Sequence, residues 1–143
     1  MITSKDEFLR LCSSQKPEEI NKSLSDNAPL VIWLEVVEAY PERRIDVAQN
    51  ITIPAEVMRI LASCNDPLVR SLIAQKRRLI PDLFPLLARD SDETVRRSIA
   101  ANKKTPFDIL KLLTMDNIES VASVAEYNLR SGSKCAGTFK QKT

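Results

Sequence analysis

Residues Val95 to Val121 read VRRSIAANKKTPFDILKLLTMDNIESV, and this stretch decides the fold. Its first half repeats the segment before it. Val69, Arg70, Ile73 and Ala74 correspond to Val95, Arg96, Ile99 and Ala100, each pair 26 positions apart. The same step backward adds Arg44, Val47 and Ala48; forward, it reaches Val121 and Ala125. The second half repeats too: Val57, Leu83 and Ile109 fall into register, as do Ile60, Leu86 and Leu112, and Leu61, Leu87 and Leu113. An apolar pattern returning at a fixed step of this length marks stacked structural units, each too small to bury its own apolar face. The expectation is an all-α chain, an α-solenoid of about four to five short helical pairs, occupying a single domain over 1–130.

The prolines set the metre. Pro17, Pro29, Pro41, Pro54, Pro67 and Pro81 stand 12 to 14 positions apart, and Pro106 lies 25 beyond Pro81. Proline suits the first turn of a helix, where a missing N–H costs nothing and its fixed φ is already helical. One proline per half-repeat therefore predicts helices at 17–25, 29–39, 42–49, 54–63, 67–75, 81–89 and 106–115, and the same metre places two more, without a proline, at 93–101 and 118–129. A first helix near 5–13 is announced by Ser4-Lys5-Asp6-Glu7, which has the form of a capping box. Asp66, Thr105 and the cluster Asp90-Ser91-Asp92 stand where side-chain caps are needed. Pro85 conflicts with a helix over 81–89, which must start late, near Phe84, or kink. No window alternates with period two, so no sheet is expected.

Glycine is confined to Gly132 and Gly137, so helix ends must be made otherwise. Asn50, Asn102 and Asn128 recur at the repeat step or its multiples, with Lys76 at the missing place. Asparagine tolerates the left-handed conformation that ends helices, which predicts a capping role. The end, SGSKCAGTFKQKT, lacks periodicity, and 131–143 is expected to be a flexible basic tail.

The pattern V-R-x-x-I-A-x-N-x-x-T-P-x-x-I-L-x-x-L-x-x-D, from Val95 to Asp116, resembles the leucine-rich repeat variant, a relative of HEAT-type helical repeats. The likeness runs over 69–128 and is recognisable from Arg44. It implies a right-handed superhelix of short helical pairs, some with one helix in 3₁₀ form. Some relatives in that family hold an iron–sulfur centre on a cysteine cluster. Here Cys12, Cys64 and Cys135 are scattered, so neither cofactor nor metal site is expected.

Catalysis finds little support. There is no histidine, the commonest general base. Without internal glycine, a phosphate-cradling loop cannot be built. The chain is expected not to be an enzyme, and solenoids of this build mostly bind protein or nucleic acid. MITSKDEFLRL places acidic residues where a signal peptide is basic and then apolar, and no stretch has the eighteen or so apolar residues of a membrane span. A cytoplasmic location, away from membranes, is the expectation.

Charge is divided along the chain. Residues 1–72 carry 8 Lys/Arg against 11 Asp/Glu, whereas 73–143 carry 13 against 8. In the acidic half, Trp33, Glu35, Glu38, Tyr40 and Glu42 would suit a basic protein partner, although Trp33 in LVIWLEVVEA also suits a core. In the basic half, Arg70, Lys76, Arg77, Arg78, Arg97, Lys103 and Lys104 form an alternative strip that could follow a nucleic-acid backbone. Aromatic residues do not interleave with it, which weighs against stacking on bases. The ladder Arg44, Arg70, Arg96 reads more readily as structural, each guanidinium bonding an acidic residue of the neighbouring turn. By size and build the chain is similar to small helical-repeat bacterial immunity proteins. The leading functional expectation is therefore an inhibitor that binds and neutralises a toxin, such as a basic nuclease. Nucleic-acid binding, or service as an adaptor subunit, is the alternative.

Overall fold

The computed structural model describes residues 1–141, with side chains described as far as residue 132. Among the described residues the chain is all-helical, with no strand. The helices are α1 (Lys5–Cys12), α2 (Pro17–Ser25), α3 (Leu30–Ala39), a 3₁₀ turn (Pro41–Arg43), α4 (Arg44–Gln49), α5 (Ala55–Ala62), α6 (Pro67–Ala74), α7 (Leu83–Ala88), α8 (Glu93–Ala101), α9 (Phe107–Leu113) and α10 (Glu119–Gln141). The backbone of the expected tail, 131–143, belongs to α10 as far as Gln141; most of its side chains lie outside the described residues. The stretch read as one domain, 1–130, is divided between two compact units, Met1–Ile73 and Ala74–Thr143.

Each unit packs sequentially. In the first, α1 lies against α2 and α3, α2 against α4, and α3 against the 3₁₀ turn, α4 and α5. In the second, α7 meets α8 and α9, α8 meets α9 and α10, and α9 meets α10. The register columns supply the cores. Val47, Val57 and Leu61 are buried in the first unit; Leu83, Leu87, Val95, Ile99, Leu113, Val121 and Ala125 in the second. Phe8 and Trp33 complete the first core edge-to-face, with ring centroids 5.2 Å apart and planes at 81°. One column behaves otherwise. Ile60 in the first unit, and Leu86 and Leu112 in the second, are apolar at the repeat step yet exposed.

Helix starts differ in detail from the simplest reading of the prolines. Pro17 and Pro67 open α2 and α6, but Pro29, Pro54 and Pro106 sit one place earlier, extended, at the N-cap. Their carbonyls accept the first bonds, from Ile32, Met58 and Leu110 among others. Pro85 is the third residue of α7, which begins at Leu83. The first N–H groups of a helix have no internal partner, so Pro85 removes nothing the helix needs. The predicted late start is what occurs.

Side-chain caps are likewise particular. Ser4 Oγ accepts from Glu7 N at 3.1 Å, but the Glu7 carboxylate turns to Thr3 N, 2.8 Å, rather than to Ser4. Asp66 and Asp92 cap their helices through Leu68 N and Thr94 N. Thr105, expected as a cap, instead donates its hydroxyl to the Ile99 carbonyl at 2.6 Å.

Asn50 and Asn102 stand at helix C-caps as expected, but not in the left-handed conformation. No described residue has a positive φ, and Asn50 and Asn102 end their helices in extended backbone. Asn128 lies inside α10. The side chains act across the repeat instead. Asn102 Nδ2 donates to the carbonyls of Ala74 and Lys76, at 2.8 and 3.1 Å. Asn128 Nδ2 donates to those of Ala100 and Asn102, at 2.9 and 3.0 Å. Asn50 does the same with Ser23 and Asp26. Each amide therefore closes the C-terminal end of the helix one repeat back, where orphan carbonyls need donors. A primary amide has two N–H groups for two carbonyls and keeps its oxygen for its own loop.

Candidate binding surfaces

The acidic surface lies on α3 and the 3₁₀ turn after it. Glu35 and Glu38 are exposed on α3, and Glu42 is exposed in the turn. Val31, 60% exposed, Glu35 and Glu38 have the spacing of one face of α3, and Glu42 follows in the turn after the helix ends. None of the three carboxylates forms an ion pair among the described residues. Trp33 is not part of this surface. It is fully buried on the opposite side, and its indole Nε1 has no hydrogen-bond partner. Tyr40 is half-buried and ends α3. Of the two roles the sequence allowed Trp33, core residue and partner-facing anchor, its burial fits the core, and Val31 is the apolar member of that face.

Three of the basic residues, Arg77, Lys103 and Lys104, line an open depression of about 590 Å³ in the second unit, together with Gln75, Ala101 and Asn102. The loops after α6 and α8 form it. Asn102 fixes both, since its Nδ2 holds the Ala74 and Lys76 carbonyls while its Oδ1 accepts from Lys104 N at 2.9 Å. Arg77, Arg78, Lys103 and Lys104 are exposed, and none forms an ion pair among the described residues. Lys76 differs: it is half-buried, and burial pushes its ammonium pKa down to about 8. Arg97, half-buried on α8, does not line the depression. Tyr127 escaped the sequence reading. It stands 76% exposed on α10, in the register position that Ala101 holds on α8. The 26-residue step from Gln75 through Ala101 to Tyr127 was the available signal.

The arginine ladder has a structural task. Arg44 Nε donates to the Val37 carbonyl at 2.9 Å, Arg70 Nη1 to Cys64 and Arg96 Nη1 to Asp90, both at 2.8 Å. Each guanidinium thus meets a carbonyl in the last turn of the preceding α-helix or just past it, where a cation also favours the dipole. Arg96 additionally grips Asp116 through two nitrogens, at 2.7 and 3.3 Å. The Arg96 bond holds the Asp116 carboxyl below its ordinary range, helped by Ile118 N–H. This pair is the carboxylate contact expected for the ladder; the carbonyl contacts were not foreseen.

Among the described residues no cluster of His, Cys, Asp or Glu could hold a metal ion. Cys12 is half-buried, and desolvation, with Asp46 adding to it, pushes its thiol up to about 12. No helix of the described residues is long and apolar enough to cross a membrane. Comparison with models of protein families, with curated proteins and with solved structures gives no match to this chain.

Proposed function

We propose that this chain is a non-catalytic binding protein, a right-handed α-solenoid of the HEAT-like, leucine-rich-repeat-variant kind. Its partner is a basic protein, docked on the face formed by Val31, Glu35, Glu38 and Glu42. The observation that carries the reading is the state of the three carboxylates. They are exposed and outside any ion pair of the described residues, two of them on one face of a helix whose other face is anchored by buried Trp33 and the third in the turn that follows. Charges arranged in this way speed encounter with a complementary surface and select among partners. The absence of histidine from the sequence supports action by binding rather than turnover. In its specific form the proposal is a cytoplasmic bacterial immunity protein that neutralises a toxin, of which a basic nuclease is the best-suited class.

The test is affinity capture from the native host, identification of any stoichiometric partner, and remeasurement with Glu35→Lys plus Glu38→Lys. A basic partner should be retained by the parent, and the double change should weaken the complex by about 2–5 kcal/mol where the carboxylates become desolvated. A stoichiometric complex indifferent to both changes would refute the assignment of this face.

A further inference from the structure

We propose a second binding site, separate from the acidic face: the depression ringed by Arg77, Lys103 and Lys104 takes the phosphodiester backbone of single-stranded nucleic acid, with a base stacked on Tyr127. It rests on three features of the second unit. The cations are exposed, lie outside any ion pair of the described residues, and converge on one concavity. Packing does not demand them, because the loop geometry is set by the Asn102 amide and not by the charged side chains. Clustering like charges without a counter-ion is mildly unfavourable, so a partner that supplies negative charge gains what the isolated chain forgoes.

The third feature selects the class of polyanion. Tyr127 continues the column of Gln75 and Ala101, both of which line the depression, and it is strongly exposed on α10, which packs on α8. A large exposed aromatic one register step from a cationic hollow is the pairing used for unpaired bases: charge follows the backbone while a ring receives the base. An acidic protein segment would use the cations but gain little from the ring. A duplex, whose bases already stack on one another, would not use it either. Arg78 and Lys104 lie one repeat step apart, and Arg130 one step further. Arg130 is already paired with Glu126 at 3.2 Å, which limits the basic track on that side.

The experiment is fluorescence anisotropy of the full chain with labelled oligothymidylate and oligouridylate, a duplex of the same length, and polyglutamate as competitor. Three phosphate contacts predict a log–log salt slope of about −2, so a fourfold rise in salt weakens binding about 16-fold. Lys103→Glu with Lys104→Glu should abolish binding. Tyr127→Ala should weaken it about tenfold, with Tyr127→Phe close to the parent. These side chains are exposed, and circular dichroism of each variant confirms that the fold is kept. A preference for the DNA or the RNA strand identifies which source is the better ligand, and either supports the site. Failure of both strands to bind at low salt would overturn it. So would equal displacement by polyglutamate, binding that survives the double reversal, or indifference to Tyr127→Ala. Glu35→Lys with Glu38→Lys serves as the control: it tests the acidic face alone, so the two proposals fail separately.

Discussion

Replacing Asn50 by alanine tests the idea that buried amides, and not backbone reversals, hold successive repeats together. Asn50 is fully buried and makes at least four hydrogen bonds. Its Nδ2 donates to the Ser23 carbonyl at 2.8 Å and to that of Asp26 at 2.9 Å. Its Oδ1 accepts from Thr52 N at 2.8 Å and from Thr52 Oγ1 at 2.6 Å. Not every partner is orphaned by the change. The Asp26 carbonyl keeps the Thr52 hydroxyl at 3.3 Å, and half-buried Thr52 is within reach of water. The buried Ser23 carbonyl is left without its donor, and a polar group stranded in this way costs about 1–3 kcal/mol. That is a large share of a typical domain's total of about 5–15 kcal/mol. Urea titration followed by Trp33 fluorescence measures it, because Trp33 lies in the same unit's core. The midpoint should fall with little change in slope. Asn50→Asp keeps the shape but turns an acceptor toward two carbonyls. It should cost at least as much at neutral pH and recover partly in acid, when a protonated carboxyl can donate once more. An alanine variant within about 0.5 kcal/mol of the parent, the range of an ordinary surface change, would refute the reasoning. So would an aspartate variant as stable as the parent at neutral pH.

Three further outcomes are expected. Arg96→Ala should destabilise by about 2–4 kcal/mol, because it strands the nearly buried Asp116 carboxylate, and denaturant titration would reveal it. The lowered Asp116 pKa adds a pH signature: its contribution is complete above the usual aspartate range, ordinarily near 3.8, and is lost as pH falls through the lower folded value. The stability gap between the parent and Asp116→Asn should therefore stay constant near neutrality and close only in strong acid. Cys12, with its thiol raised to about 12, should resist alkylation at mildly alkaline pH until the chain unfolds, as peptide mapping by mass spectrometry would show. Trp33, the single tryptophan, should emit to the blue and resist acrylamide quenching in the folded state, and Trp33→Ala should cost about 3–5 kcal/mol in denaturant titration.

The helical skeleton was legible in the sequence because its causes are local. A proline in the first turn, an aspartate cap and an apolar stripe each act within a few residues, and α8 runs over 93–101 as its pattern required. What could not be read depended on contacts a repeat away. Asparagine at a helix end suggests a left-handed cap when the chain is considered alone; only the neighbouring repeat shows two carbonyls waiting for one amide. The arginines were legible in part: a carboxylate is the partner that composition advertises, and Arg96 has one in Asp116, whereas the carbonyls that the ladder also holds are invisible in a sequence. Trp33 was ambiguous because α3 is apolar on most sides. Its burial follows from Phe8, which arrives from α1 and could not be placed beforehand.

The same register explains where recognition can reside. Columns that face the core repeat their residue type, as Val47, and then Ile73, Ile99 and Ala125, are all buried and apolar. The asparagine and arginine columns are restrained in the same manner by fixed backbone partners. Exposed columns are freer: Ile60, Leu86 and Leu112 keep an apolar type, whereas Gln49, Gln75, Ala101 and Tyr127 share one position and change chemistry along the chain. A repeat protein that binds along its surface must differ from one repeat to the next in those columns, or it would offer the same contact at every step. Tyr127 departs furthest from its column and stands open to solvent, and the cations beside Ala101 supply the charge it lacks. Under the proposal for the second unit, departure from the repeat, more than the repeat itself, is the feature that would mark a binding residue.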